Sequence, residues 1–225
     1  MKQVKNQQGF TLVEIAIVLV IIGLLLGGVL KGQELIENGK VKRAANDMNG
    51  VVAAYHSYTD RYNRLPGDDG PALLDLTNRG GSWVNVTQFG NNNGVITSTA
   101  ANTWNGGGES DNFWQHLKAA GFINGNPADA GANAMIRNPF GGLMGITNAA
   151  IMASGGAGTE LSGNKVCLSQ VPGKLATTLD NQLDDGLPNT GSLRATLGAV
   201  GVNTAPGVVA PLYNEDSQYT ICRTL

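Results

Sequence analysis

The chain has 225 residues, a formal net charge of −2 and only 14% charged residues. This weak, slightly acidic charge excludes the basic surface on which nucleic-acid binding depends, so we expect no nucleic-acid partner. The apolar residues are unevenly placed, because the longest uncharged apolar run lies within the first thirty positions and glycine-rich sequence follows it. The composition therefore indicates an apolar N-terminal segment joined to a polar, turn-rich globular part.

The N-terminal segment is suited to a membrane. Residues 10–30 are apolar apart from Glu14, and as a helix they would be about 31 Å long, close to the roughly 30 Å of a hydrocarbon core. The sequence after Leu30 lacks the small-residue cleavage site of an ordinary secretory signal. We therefore expect a single transmembrane helix that is kept, either as an uncut anchor or after cleavage in front of it.

The sequence Gly-Phe-Thr-Leu-Val-Glu at positions 9–14 resembles the type IV prepilin signature, in which a Gly ends a short basic leader and a Glu stands fifth after the cut. In that family a prepilin peptidase cuts after the Gly and methylates the new amine. The resemblance therefore implies cleavage between Gly9 and Phe10 and N-methylation of Phe10. It is strong from about Lys5 to Tyr62 and looser beyond.

The resemblance also implies the architecture. We expect an α+β protein of the type IV pilin kind, in which a long N-terminal helix packs on a β-sheet head with a C-terminal disulfide loop. The expected parts are a leader (1–9), the long helix (10–62, with 10–30 in the membrane) and a periplasmic or extracellular head (63–225). The implied partners are the prepilin peptidase, identical or related pilin subunits, an inner-membrane assembly platform and membrane lipid.

Glu14 is the unusual residue of the apolar segment. A carboxylate within an apolar helix costs several kcal/mol unless it has a partner, so such a group often marks a function. Cleavage would create a cation at similar depth, the new amine of Phe10. The resemblance implies that this amine neutralises Glu14 of a neighbouring subunit and sets the register, which makes Glu14 and Phe10 candidate assembly residues. The alternative is that Glu14 reaches the membrane interface without a partner.

Beyond Lys31 the pattern becomes amphipathic, with apolar residues at steps of three and four, which predicts that the same helix continues to about Tyr62 and ends before Pro66. This stripe would lie on the head, and a coiled coil is the competing explanation. Its apolar positions are Leu35, Ala44 or Ala45, Met48, Val51 or Val52, Tyr55, and Tyr58 or Thr59.

The head has turn signals between short apolar runs. We expect a helix at 110–117, with an N-cap at its start and Gly121 closing it, and a second helix at 172–186 that begins at Pro172 and ends at Gly186. The predicted strands are 81–89, 165–168, 192–202 and 218–223, and the predicted surface loops are 90–108 and 141–158.

Two cysteines, Cys167 and Cys222, lie in the distal part at a spacing that does not suggest zinc. A disulfide is the simplest interpretation if the head is exported, and two unrelated buried thiols are the alternative. Closing a loop of roughly 55 residues would stabilise the fold by about 4 kcal/mol in the chain-entropy model.

The sequence offers no catalytic motif. The two histidines, His56 and His116, are not accompanied by a nucleophile elbow, a phosphate-binding loop or a metal-ligand cluster, so we expect no enzyme, no cofactor and no metal. The pairs Asp68–Asp69 and Asp184–Asp185 could donate to calcium, but roles in turns and at helix ends are favoured.

Three functions remain open. The favoured one is a structural subunit of a type IV pilus, held in the bacterial inner membrane before assembly and in a pilus, at the cell surface or in the periplasm after it. A pseudopilin of type II secretion is the first alternative. The second, from another class, is a periplasmic binding protein or enzyme that stays anchored permanently by an uncut N-terminus.

Overall fold

The computed structural model describes residues 11–150, 152–153 and 160–225. The chain forms two compact units, of which the first reaches to Gly39 and the second comprises Lys40–Leu225. Helix α1, Leu12–Tyr62, contributes to both. The helix ends at the predicted residue, Tyr62, because the next residue, Asn63, has a φ of +51°, which lies outside the geometry of a right-handed helix.

The second unit contains an antiparallel sheet of five strands in the order β1-β2-β3-β5-β4, which confirms the predicted α+β class. The elements after α1 are α2 (Leu73–Thr77), a 3-10 helix (Gly81–Asn85), α3 (Asn102–Asn105), α4 (Glu109–Ala119), a second 3-10 helix (Gly131–Asn133), β1 (Ile136–Arg137), β2 (Leu143–Thr147), β3 (Lys165–Pro172), α5 (Gly173–Leu183), β4 (Leu193–Gly198) and β5 (Gln218–Thr224).

The second half of α1 packs into this unit through one stripe. Its small residues allow close approach of the backbone, and Arg223 of β5 donates a hydrogen bond of 2.6 Å to Asn49. The predicted stripe is therefore correct from Ala44 onward and wrong at Leu35, which is 62% exposed, and the buried Val41 was not predicted. The buried positions are Val41, Ala44, Ala45, Met48, Val51, Ala54 and Tyr58.

Helix α4 is the centre of the second unit, since all of its residues are buried. Its N-cap is Gly108, and the hydroxyl of Ser110 donates instead to the Gly107 carbonyl at 2.9 Å. The helix thus starts one residue earlier than predicted. Its predicted end is confirmed, because Gly121 has a φ of +78° and the next N–H, of Phe122, donates back to the Leu117 carbonyl at 3.0 Å.

The predicted strand at 81–89 is wrong. Gly81–Asn85 is a 3-10 helix, because Gly80 and Gly81 both have positive φ and turn the chain so that Trp83 is buried beside the Tyr58 ring. A positive φ is incompatible with an extended strand.

The predicted loop at 141–158 is wrong over β2, a fully buried strand. Its Gly145 is required by packing rather than by a turn, because a Cβ there would meet the Thr103 carbonyl oxygen of α3. The predicted loop at 90–108 likewise contains the short helix α3. Among the other predicted elements, β4 is shorter than 192–202, and α5 ends at Leu183, three residues before Gly186.

The predicted disulfide is present. Cys167 on β3 and Cys222 on β5 are directly opposite in register, and both are fully buried. The bridge ties the last strand to the middle of the sheet and closes a loop with a sequence separation of 55 residues.

Replacing Cys222 with serine is expected to lower the free energy of unfolding of the second unit by about 4 kcal/mol, because the unfolded chain regains the freedom that the loop closure removed. Urea unfolding followed by tryptophan fluorescence measures this loss. The double variant Cys167→Ser/Cys222→Ser is the control, and it should lose a similar amount because it also lacks the bridge. A single variant as stable as the wild type would contradict the role given to the bridge.

Candidate functional site

The start of α1 is closed by reciprocal hydrogen bonds between Thr11 and Glu14. The Glu14 carboxylate accepts the Thr11 N–H at 2.8 Å and the Thr11 hydroxyl at 2.8 Å, while the Glu14 N–H donates to that hydroxyl oxygen at 3.3 Å. This arrangement is a capping box, which satisfies donors that a helix start leaves unpaired. The predicted cleavage residues Gly9 and Phe10 lie outside the described residues.

Among the described residues, the apolar half of α1 is left exposed. Side chains on every face are exposed, from Leu12 at 91% to Leu24 at 73% and Leu30 at 66%. Within the part of the chain that the structure describes, α1 is the one helix long and apolar enough to cross a membrane. A helix that is apolar all round requires apolar surroundings, which are lipid or other apolar helices.

Glycines recur along this exposed segment. Gly23, Gly27, Gly28 and Gly32 have no described atom within 4 Å of where a Cβ would stand, apart from their chain neighbours and the helix's own backbone. Their small size is therefore not explained by packing against the residues that the structure describes. Small residues spaced by four let two helices approach closely within a membrane.

A buried polar cluster lies where α1 meets the chain after it. Asp69 is 1% exposed and accepts the hydroxyl of Tyr58 at 2.5 Å. Arg79 donates two hydrogen bonds to the same carboxylate, at 2.8 and 3.1 Å, and its guanidinium stacks 4.5 Å from the centre of the Trp83 ring. The buried charge is thus paired and hydrogen-bonded on both oxygens, which is the condition for burying it.

His116 of α4 adjoins this cluster and is fully buried. Its Nδ1 accepts the N–H of Gly67 at 3.0 Å, and its Nε2 lies 3.3 Å from the Gln88 carbonyl. Burial disfavours the charged ring and lowers the pKa of His116 to about 4. The ring is thus neutral, and its Nδ1 is a hydrogen-bond acceptor for the chain that follows α1.

The stability of the second unit is expected to fall by about 2 kcal/mol between pH 7 and pH 5 through His116 alone. In that window the unfolded chain protonates the ring and the folded protein does not, so folding is favoured above the ordinary pKa of 6.5 and weakens as the pH falls. Asp180 opposes this trend, because burial raises its pKa to about 6. The measurement is therefore the difference in urea unfolding between the wild type and His116→Asn, and an equal pH dependence of both would contradict the assignment.

The acidic residues weighed for calcium have partners within the protein. Asp68 accepts the N–H groups of Asn93 and Gly94 at 3.0 and 2.7 Å, which orders the loop that follows position 90. Asp184 accepts the N–H groups of Ser192 and Leu193 at 2.6 and 2.8 Å. For Asp68 and Asp184 these are the roles in turns and at helix ends that the sequence favoured, whereas Asp69 instead pairs with Tyr58 and Arg79.

Asp180, Asp184 and Asp185 place one ligand atom each within 4.8 Å of the others. Asp180 accepts the Tyr213 hydroxyl at 2.6 Å, and Asp185 accepts the Thr190 hydroxyl and the Leu187 N–H. These hydrogen bonds hold the loop after α5 in place, and they explain why the three carboxylates lie close together.

The chain thus combines an exposed apolar helix that has a capped start with a compact α+β unit that is closed by a disulfide. Residues 4–30 match the family described as the prokaryotic N-terminal methylation motif. The fimbrial protein EcpC of Eikenella corrodens is 35% identical over 106 residues, which cover 46% of this chain and 67% of that protein. The chain belongs to the type IV pilin-like proteins.

Two features of these sites were missed by sequence reasoning. The capping box had a readable signal, since Thr11 and Glu14 have the Thr-x-x-Glu spacing at the start of an apolar run. The cluster of Tyr58, Asp69 and Arg79 had none, because its members are ten or more residues apart and meet only in the folded chain.

Proposed function

We propose that this pilin-type subunit builds a type IV pilus. It would be inserted in the bacterial inner membrane through α1, cleaved after Gly9, N-methylated at Phe10 and packed into a filament by its apolar helix. The observation that carries this proposal is that every residue from Leu12 to Leu30 of α1 is exposed, behind a prepilin motif. Such a surface is satisfied first by lipid and then by the equivalent helices of neighbouring subunits.

In this proposal Glu14 has two successive roles. In the separate subunit its carboxylate caps the helix with Thr11, which lowers the cost of placing it at the membrane. In the filament the same carboxylate would pair with the amine of Phe10 of a neighbour. A carboxylate has four acceptor positions, so the capping bonds leave capacity for this second partner.

The partners and locations follow from this pathway. A prepilin peptidase would process the leader, an inner-membrane assembly platform would extract the mature subunit from lipid, and identical or related subunits would receive it. The protein would then lie in the inner membrane before assembly and in the pilus at the cell surface afterwards. Its role would be structural, without catalysis or a cofactor.

A pseudopilin of type II secretion is the second candidate, since it would use the same helix and the same processing. The pilus is favoured by the disulfide that closes the C-terminal loop and by the similarity to a fimbrial protein. A permanently anchored periplasmic protein is disfavoured by the match to the methylation motif, which implies a cut in front of the apolar segment.

Intact mass measurement of the protein from a sheared-filament fraction and from membranes tests the proposal. We expect a chain that begins at Phe10 and carries a methyl group, present in both fractions. An intact Met1 in all the protein would support the permanent anchor. A correctly processed chain that leaves the membrane only as short periplasmic assemblies would support the pseudopilin.

A further inference from the structure

The second unit has an apolar groove beside its edge strand β4. The groove has a volume of about 480 Å³ and lies between β4 and the chain at 208–214. Three of its lining residues are unusually exposed for their type, namely Leu197 at 58%, Val208 at 81% and Leu212 at 69%. Because they share one groove, they form a contiguous apolar surface, which is typical of a binding site rather than of scattered surface residues.

The groove accepts side chains rather than an additional strand. The outer edge of β4 is already paired, since Thr196 forms a bridge with Val209 and the Ala210 N–H donates to the Ala195 carbonyl at 2.8 Å. The backbone groups of this part of the edge are thus occupied by the chain's own segment. An occupant of the groove would therefore contribute apolar side chains.

Two acidic residues adjoin the lining of the groove. Asn214 and Ser217 line it, and the two residues between them, Glu215 and Asp216, are both exposed. A matching occupant would carry apolar side chains followed by positive charge.

Helix α1 carries this pattern just before it enters the second unit. Leu35 and Ile36 are each 62% exposed. Lys40 follows Ile36 by four residues and Lys42 follows Leu35 by seven, so that on a helix each lysine lies on the same face as its apolar partner. Both lysines are exposed, whereas Val41 between them is buried in the second unit.

We propose that the groove of one subunit binds Leu35 and Ile36 of a second copy, with Lys40 and Lys42 of that copy opposite Glu215 and Asp216. The inference rests on the proposed function, because a filament presents identical copies to one another at high effective concentration. A contact that is weak between separate molecules is sufficient under that condition. This contact would determine how the second units of neighbouring subunits are placed, in addition to the packing of the apolar half of α1.

Cysteine cross-linking in assembled filaments tests the contact. A subunit with Ile36→Cys is co-expressed with a subunit with Leu212→Cys, the filaments are sheared from cells, and a short thiol-specific cross-linker is added. The native cysteines are buried in the disulfide and do not react. We expect a covalent dimer from this pair, and none above background when Leu74→Cys replaces Leu212→Cys, because Leu74 is 66% exposed but does not line the groove.

Charge reversal provides a second measurement with the same subunits. Lys40→Glu/Lys42→Glu and Glu215→Lys/Asp216→Lys should each lower incorporation into filaments by about tenfold, and the combination of all four in one chain should restore it to within about twofold. Asp75→Lys, an exposed reversal outside the groove, is the control and should assemble normally.

The outcomes separate the two proposals. If the wild type forms filaments but Ile36→Cys gives no dimer with Leu212→Cys, or gives the same yield with Leu74→Cys, the groove contact is overturned and the filament function is left intact. Failure of the combined charge variant to recover also overturns it. Absence of filaments from the wild type contradicts the proposed function itself.

Discussion

Replacing Glu14 with alanine is expected to reduce incorporation into filaments sharply while membrane insertion and cleavage stay largely intact. The apolar segment becomes more apolar without this carboxylate, so insertion is not impaired. An incoming subunit, however, would leave the positive amine of a neighbour's Phe10 without its counter-charge in an apolar core, which costs several kcal/mol. The ratio of mature subunit in the sheared-filament fraction to that in membranes measures the effect.

Two further variants separate charge from helix capping. Glu14→Gln keeps a side chain that can complete the capping box but cannot neutralise an amine, so it should fail as Glu14→Ala does. Thr11→Val removes the hydroxyl partner of Glu14 and keeps its charge, so it should retain most of its assembly. If Glu14→Gln assembles normally and Thr11→Val does not, the capping box is what assembly requires. Normal entry of Glu14→Ala beside the wild type would exclude the register mechanism.

Replacing Gly9 with a bulky residue such as leucine is expected to block processing almost completely. The peptidase would have to accommodate the backbone closely at the cut, and glycine is the residue that obstructs this least. Full-length precursor should accumulate in the membrane, and the filament fraction should be empty because no free amine forms at Phe10. Intact mass of the membrane fraction is the measurement.

The matched control is Gln7→Leu, which places the same side chain two residues earlier in the leader and should be processed at the normal rate. Mature protein of normal mass from the Gly9 variant would contradict the assigned cleavage site. A block in both variants would mean that the leader as a whole, and not this residue, determines processing.

The features that sequence reasoning predicted depend on local signals. The apolar length of residues 10–30, the motif that ends at Glu14 and the proline after Tyr62 each act within a few positions of the chain, so the course of α1 could be predicted. The disulfide needed only two cysteines and an exported location. The predicted strands 165–168 and 218–223 each contain one of the cysteines, but the sequence did not predict that the two strands pair with Cys167 opposite Cys222.

The features that were missed depend on contacts between distant parts of the chain. Residues 81–85 have a strand-like composition, but Trp83 packs against Tyr58 of α1, and the backbone turns to bring it there. Gly145 is required because the Thr103 carbonyl oxygen occupies the space of a Cβ at this position. Thr103 is more than forty positions away in the chain, so the sequence around Gly145 indicated only a loop. Tertiary contacts overrode local propensity in both cases.

The packing of α1 within the second unit also determines how this protein would respond to mechanical force. Its buried side chains extend from Val41 to Tyr58, over about 26 Å of helix, and are not concentrated at one end. Tension applied along α1 would act parallel to this interface and would have to displace these side chains together. The residues between Cys167 and Cys222 could not be drawn out at all while the bridge is intact. A pulled subunit would therefore yield by abrupt sliding of the helix and not by gradual unravelling from its C-terminal strand.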